Sequence, residues 1–230
     1  NQIVGSTIIG DQEVCQEQTS SYNASYYEGV EYNWTIIPNS IGTIISYPKN
    51  STIEVLWHSE GPANLNLNVC GESINYPITI YPRPQVVVNH PTSLCPNETA
   101  AVSTSIPFIN YTWKDEYGVV ISNVAAPNLG SGYYQLLVEN EFGCLNDTTF
   151  YINDHPISEI SISTPDNEGF CPNDGDGPRT LYAVNTQAGY SYQWYHNGIQ
   201  VGTNSPNFTT IDFGIYWVEM TDSNGCIFQT

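Results

Sequence analysis

Positively charged side chains are almost absent from this sequence. Four Lys+Arg stand against 23 Asp+Glu in 230 residues, a formal net charge of −19. That excludes nucleic acid as a partner, because neutralising phosphates takes clustered Lys and Arg. Anionic membrane surfaces repel the chain for the same reason. No run approaches the ~20 apolar residues that span a bilayer, so no membrane insertion is expected. Histidine is sparse, and His58, His90, His155 and His196 are scattered singly. The cysteines never form the close pairs that zinc sites use. G-x-S-x-G and H-E-x-x-H are both missing, so no catalytic residue is assigned and no enzyme activity is expected. No window carries a helical period, and no charged-then-apolar signal opens the chain. Asn1–Ile9 reads as a strand from the start and Cys226–Thr230 as a strand just beginning. A segment of a longer protein, or a mature chain without its flanks, is the expectation.

What the sequence does hold is tyrosine and alternation. Aromatics reach 13%, with 17 tyrosines, while charged residues make up only 12%. Disordered chains show the opposite balance, and Tyr, Thr, Val and Ile suit a pleated, half-buried surface. Thr52-Ile53-Glu54-Val55-Leu56-Trp57 and Pro77-Ile78-Thr79-Ile80-Tyr81 alternate as strands do. Asn197-Gly198 and Asn224-Gly225 mark hairpin turns. Many short strands separated by turns predict an all-β fold of sandwiches.

Three repeats organise the chain. Each opens at a cysteine: Cys15-Gln-Glu, Cys95-Pro-Asn-Glu and Cys171-Pro-Asn-Asp. A Tyr-x-Trp follows at Tyr32–Trp34, Tyr111–Trp113 and Tyr192–Trp194. A late alternating strand then runs to or towards Cys70, Cys144 or Cys226. Pro82-Arg83-Pro84 and Asp154-His155-Pro156 separate the repeats, giving boundaries at 1–82, 83–154 and 155–230. Prolines in such short linkers predict a stiff, extended array.

Six cysteines allow fifteen pairings. Neighbours lie 55, 49 and 55 residues apart, and that near-equal spacing favours one bridge inside each repeat: Cys15–Cys70, Cys95–Cys144 and Cys171–Cys226. Closing such a loop is worth roughly 4 kcal/mol to a small domain, and bridges of this kind belong to an oxidising compartment.

Two other places carry ligand chemistry. Asn173-Asp174-Gly175-Asp176-Gly177 sets Asp174 and Asp176 on one tight loop, the clustered oxygens that calcium prefers. The glutamate that would complete a calcium loop is replaced by Ala183, so an Asp/Gly-rich turn is the stronger reading. Calcium is the only candidate cofactor. Trp217 should point opposite to Tyr216 along its strand, which makes it a candidate sugar-stacking residue, weighed against simple cross-strand aromatic pairing. Trp34, Trp57, Trp113 and Trp194 read as core. Seven N-x-S/T sequons fall at Asn23, Asn33, Asn50, Asn97, Asn110, Asn146 and Asn207.

Asp212-Phe213-Gly214-Ile215-Tyr216 resembles the D-x-G-x-Y tyrosine corner of immunoglobulin domains, and Tyr192–Gly198 resembles their third strand with its core tryptophan. The cysteines depart from that pattern: Val218 holds the antibody position, so the bridge should clamp an end of the sandwich. This displaced arrangement is similar to that of secreted and surface proteins of Bacteroidota. The first repeat resembles their PKD-like domains, the second their gliding-motility adhesin repeats and the third their immunoglobulin-like domains. The resemblance implies type IX secretion and a place in the extracellular space or on the outer-membrane cell surface. It also implies a stalk or adhesin role in cell adhesion and gliding motility. Asp147-Thr148-Thr149 resembles their O-glycosylation motif, with Thr148 as the acceptor. Two other roles stand beside it: a carbohydrate-binding accessory region of a polysaccharide-degrading enzyme, and a protein-docking module for the secretion or gliding machinery. The expected partners are a surface polysaccharide or protein and neighbouring domains of a longer chain.

Overall fold

A computed structural model of the chain describes residues 7–155, 159–164 and 177–230. All regular elements among them are strands, as the alternation predicts. The chain divides into two compact units. One comprises Asn1–Asn89, Ser103–Pro127 and Tyr134–Phe150; the other comprises His90–Val102, Asn128–Tyr133 and Tyr151–Thr230.

In the first unit, the N-terminal sandwich is built from two four-stranded sheets. One orders Ile8–Ile9, Thr19–Ala24, Thr52–Trp57 and Gly42–Ile44 side by side, all antiparallel. The other orders Glu13–Cys15, Glu72–Tyr81, Gly61–Val69 and Tyr32–Ile37. Its outermost pair, Glu13–Cys15 on Glu72–Tyr81, is parallel, with Cys15 opposite Tyr81. Period-two patterning decides which side chains meet. Leu65, Leu67 and Val69 are buried while Asn64 and Asn68 face out. Trp57 is fully buried and meets Tyr22 edge-on at 6.1 Å. Burial pushes the Tyr22 phenol up to about 12, and its hydroxyl donates to the Asp11 carbonyl.

The same unit holds strands of the middle repeat: Asn110–Lys114 pairs with Val120–Ser122 and with the 135–139 part of Gly132–Glu139. Trp113 is buried there and meets Phe150 edge-on.

The second unit contains the third sandwich. A three-stranded sheet orders Ser161–Ser163, Arg179–Val184 and Asn207–Thr210; a four-stranded sheet orders Ile199–Val201, Ser191–His196, Tyr216–Thr221 and Ile227–Gln229. Trp194, Val218 and Met220 are fully buried in its core. This unit also holds the short parallel pair of Ser93–Leu94 with Asn153–Asp154.

One device recurs in all three repeats. The indole N–H groups of Trp34, Trp113 and Trp194 donate to the carbonyls of Asn50, Val124 and Ser205 at 2.9, 2.8 and 2.9 Å. These partners offset the cost of burying an indole donor. Trp57, the other fully buried core tryptophan, has no hydrogen-bond partner for its N–H among the described residues. The tyrosine corner is present as its sequence implies: Tyr216 donates to the Asp212 carbonyl at 2.9 Å and lies 2.8 Å from Thr210 Oγ1. At Gly214, φ +154°, a Cβ would fall 2.3 Å from His196 Nε2 and 2.7 Å from the Asn197 amide, so a side chain there would displace the groups that bond the Phe213 carbonyl and the Ile215 N–H.

Tyr216→Phe removes a hydroxyl with two partners and is expected to cost the third sandwich about 1–2 kcal/mol. Urea unfolding followed by tryptophan fluorescence checks this; an unchanged midpoint would mean that the corner does not hold the fold.

Candidate functional site

The disulfides run between repeats, not within them. Cys15 is bonded to Cys144 and Cys95 to Cys226, with Cα atoms 5.6 and 5.4 Å apart. The expected pairs Cys15–Cys70, Cys95–Cys144 and Cys171–Cys226 are therefore wrong. Register gives the reason. Cys15 lies opposite Tyr81, the last residue of Glu72–Tyr81, whereas Cys70 lies in the turn just before Glu72. At about 3.3 Å per residue, some 30 Å separate them, and a bridge needs Cα atoms within about 7 Å. The middle repeat has the same arrangement. Leu94 lies opposite Asp154, the last residue of Leu145–Asp154, and Cys144 precedes that strand. Cys226 is taken by Cys95, and Cys171 lies outside the described residues.

Each bridge joins the same two local structures. The first cysteine opens a tight turn, closed by Gln18 N–H to Cys15 O at 3.1 Å and by Glu98 N–H to Cys95 O at 3.0 Å. The third residue of each turn takes a positive φ, 64° at Glu17 and 63° at Asn97. The second cysteine closes a five-residue hairpin turn. Asn140 Oδ1 accepts from the N–H groups of Phe142 and Cys144 at 3.1 and 2.9 Å. Asp222 Oδ1 does the same for Asn224 and Cys226 at 2.8 and 2.9 Å. Asn and Asp favour such turns because their side chains can stand in for backbone acceptors. Partial burial pushes the Asp222 carboxyl upward, but the N–H donors of Cys226 and Asn224, with His155 nearby, outweigh it and hold its pKa below the usual value.

The first bridge is flanked by further contacts. Tyr81 and Phe142 stack at 4.3 Å with planes 6° apart. Asn140 and Asn146 donate side-chain N–H groups to the carbonyls of Pro82 and Pro84 at 3.0 and 2.8 Å. Arg83, one of four Lys+Arg, pairs with Glu17 and donates to the Leu145 carbonyl. The linker expected to act as a stiff spacer is thus hydrogen-bonded on both flanks of Arg83. The ion pair is partly exposed and contributes modestly; the stacking and the carbonyl acceptors fix its geometry.

The other predicted residues fall in different places. Asp174 and Asp176 lie outside the described residues. Among the described residues no group of three His, Cys, Asp or Glu could hold a metal ion. Trp217 is half-buried and stacks on Tyr195 directly across the sheet, at 3.7 Å and 4°. Cross-strand pairing therefore engages one face of its ring. Thr148 is half-buried, with Phe150 on the same side of its strand. Sequence reasoning missed Arg83, Asn140 and Asp222. The signal for the last two was an Asn or Asp four residues before each second cysteine of the later repeats.

No family model matches the chain, and no curated protein matches it. Among solved structures it is similar to three immunoglobulin domains of titin, at 9% identity over 98% of this chain and 97% of that one, TM-score 0.33. It is similar to the C-terminal 282-residue fragment of intimin in complex with the intimin-binding domain of the translocated intimin receptor. There the identity is 12% over 72% of this chain and 68% of that one, TM-score 0.41. Extracellular domains 3–5 of Drosophila OTK match at 12% identity over 99% and 95%, TM-score 0.26. At such values the immunoglobulin-like assignment rests on the chain's own strand order and tyrosine corner.

Asp222→Asn should preserve the turn, because Asn140 already performs the same task with an amide. The Asp222 pKa is lower folded than unfolded, so its contribution is present above the unfolded value, near 4, and is lost as pH falls through the folded value. The variant is expected to lose stability less steeply than the parent below about pH 4. Thermal unfolding between pH 2 and 6 checks this, and identical acid limbs would exclude Asp222 as a source of the acid dependence.

Proposed function

We propose that this chain is a non-catalytic extracellular stalk and adhesin segment of a large bacterial surface or secreted protein, of the gliding-motility type exported by type IX secretion. The observation that carries this reading is the pair of bridges tying the opening turn of one repeat to the hairpin of the next. Immunoglobulin-like sandwiches in tandem are typical of adhesive and stalk modules, and the bridges suit an oxidising location outside the cytoplasm. The Bacteroidota assignment is supported by the Tyr-x-Trp, glycine and displaced-cysteine motifs of the repeats.

The bridges also determine how force travels. With both closed, the shortest covalent path between the chain ends runs to Cys15, across to Cys144, back to Cys95 and across to Cys226. That path has about 70 residues and a fully stretched length of roughly 240 Å, against roughly 800 Å for the reduced chain. A stalk so built stays short under load even when a sandwich unfolds.

Single-molecule stretching from the two ends is expected to stop near 240 Å when oxidised and near 800 Å after reduction. Cys15→Ser or Cys95→Ser alone should give roughly 350 Å, because each leaves a path of about 100 residues. Full extension of the oxidised chain would refute the force-carrying role.

A second reading, a carbohydrate-binding accessory region, draws on the outward Tyr195–Trp217 stack. Its neighbours are polar: Gln200 bonds Gln193, and Gln229 donates to Glu219 at 3.0 Å. Rings and amides together suit sugar recognition. Saturable polysaccharide binding that Trp217→Ala abolishes would establish this reading; silence across a broad glycan array would remove it.

A further inference from the structure

Cys70 is free and exposed, the one described cysteine outside a bridge. Its place in the repeat is the same as that of two cysteines that are bonded. Cys144 and Cys226 both sit in the hairpin turn between the last two long strands of their repeats, Gly132–Glu139 with Leu145–Asp154 and Tyr216–Thr221 with Ile227–Gln229. Cys70 sits in the turn between Gly61–Val69 and Glu72–Tyr81, with Val69 opposite Glu72. Cys70 and Gly71 form that turn with φ of 51° and 83°. Both bonded hairpin cysteines take the same kind of partner: the cysteine that opens the preceding repeat. Cys15 cannot serve Cys70, since it lies at the opposite end of Glu72–Tyr81 and is bonded to Cys144.

We infer that Cys70 is an interaction site that forms a third bridge of the same series, to the opening cysteine turn of another repeat of this kind set N-terminal to it. The partner is recognised by its chemistry: a thiol at the first position of a Cys-Pro-Asn-acid or Cys-Gln-Glu turn, presented beyond the end of its own parallel strand pair. Each thiol gives up one proton and one electron as the S–S bond forms. A disulfide oxidant of the surrounding compartment, such as glutathione disulfide, takes both electrons and is released as two thiols. The inference rests on the connectivity of the two observed bridges and stands whether or not the stalk reading does.

Two full chains fused head to tail provide the test. In one arm the leading copy carries Cys70→Ser and the trailing copy Cys171→Ser. The two thiols left unassigned are then Cys171 of the leading copy and Cys70 of the trailing copy, at adjacent repeats. In the other arm the substitutions are exchanged, so the remaining two thiols belong to the outermost repeats. Both are oxidised in a glutathione buffer, alkylated and mapped by peptide mass spectrometry. The 15–144 and 95–226 bridges, read in the same digests, report folding in each arm. The expected result is a 171–70 cross-link at least tenfold more abundant in the adjacent arm. Equal cross-linking in both arms, or alkylated Cys70 in the adjacent arm, would overturn the inference.

Discussion

The parallel pairing of Glu13–Cys15 with the far end of Glu72–Tyr81 decides where the cysteines can go. A strand that enters beside the last strand and runs with it must deliver its end to the pole where the last strand finishes. The hairpin before that last strand lies at the other pole. A cysteine at each place gives the first and middle repeats two thiols about a strand length apart, far beyond disulfide reach. Such thiols can only be satisfied by a neighbour. The linker contacts follow: once Cys15 is tied to Cys144, Tyr81 is brought against Phe142, and Arg83 lies between Glu17 and the Leu145 carbonyl.

The same constraint explains how so acidic a chain can hold its parts together. Like charges repel, and a net charge of −19 disfavours close approach of one repeat to another. The first joint does not rely on apolar area alone. It uses a covalent bond, one stacked aromatic pair, side-chain amide donors on proline carbonyls and one of four Lys+Arg, set beside a carboxylate. Proline carbonyls suit this role because proline offers an acceptor and no donor, so the side-chain amides of Asn140 and Asn146 can serve the linker by donating alone. Each bridge closes a sequence separation of about 130 residues, and the two loops overlap. On the chain-entropy model each is worth roughly 5 kcal/mol against the unfolded state, more than a bridge confined to one repeat would supply.

Strands, core tryptophans and the tyrosine corner were legible because each is written in local sequence. Alternation of Leu65, Leu67 and Val69 with asparagines can be satisfied in one way only, and the recurring indoles and the corner phenol each find a carbonyl near them in sequence. Bridge pairing was not legible, and the regular spacing that suggested it was ambiguous. Pairing within repeats gives separations of 55, 49 and 55 residues, while pairing across repeats gives 129 and 131. In a repeating chain any constant offset looks regular, so spacing cannot choose among offsets. Strand register chooses, and the deciding pair of three-residue Glu13–Cys15 is too short to announce itself by alternation. Trp217 illustrates a milder limit. Period two placed its side chain outward correctly, but only the cross-strand register shows that Tyr195 covers one face of the ring.

A bond between an opening turn and a hairpin joins two different surfaces, so the contact is heterologous. Heterologous contacts have a direction, and a linear series of them leaves one surface of each kind unused at any length. The hairpin at Cys70 is that unused surface among the described residues. A bridge inside each repeat would leave no such remainder, and the repeats would then be tied to one another only by linkers and side-chain contacts. The observed connectivity makes one covalent ladder of the repeats, in which the same two turns, Cys-x-x at one pole and Asn or Asp four residues before Cys at the other, recur as its fittings. Asn140 and Asp222 show how little each fitting needs to keep its shape: one side-chain oxygen accepting two backbone N–H groups, with or without a charge. The sandwiches between the fittings remain free to vary on their outward faces, where Tyr195, Trp217 and their glutamine neighbours lie, without disturbing the joints.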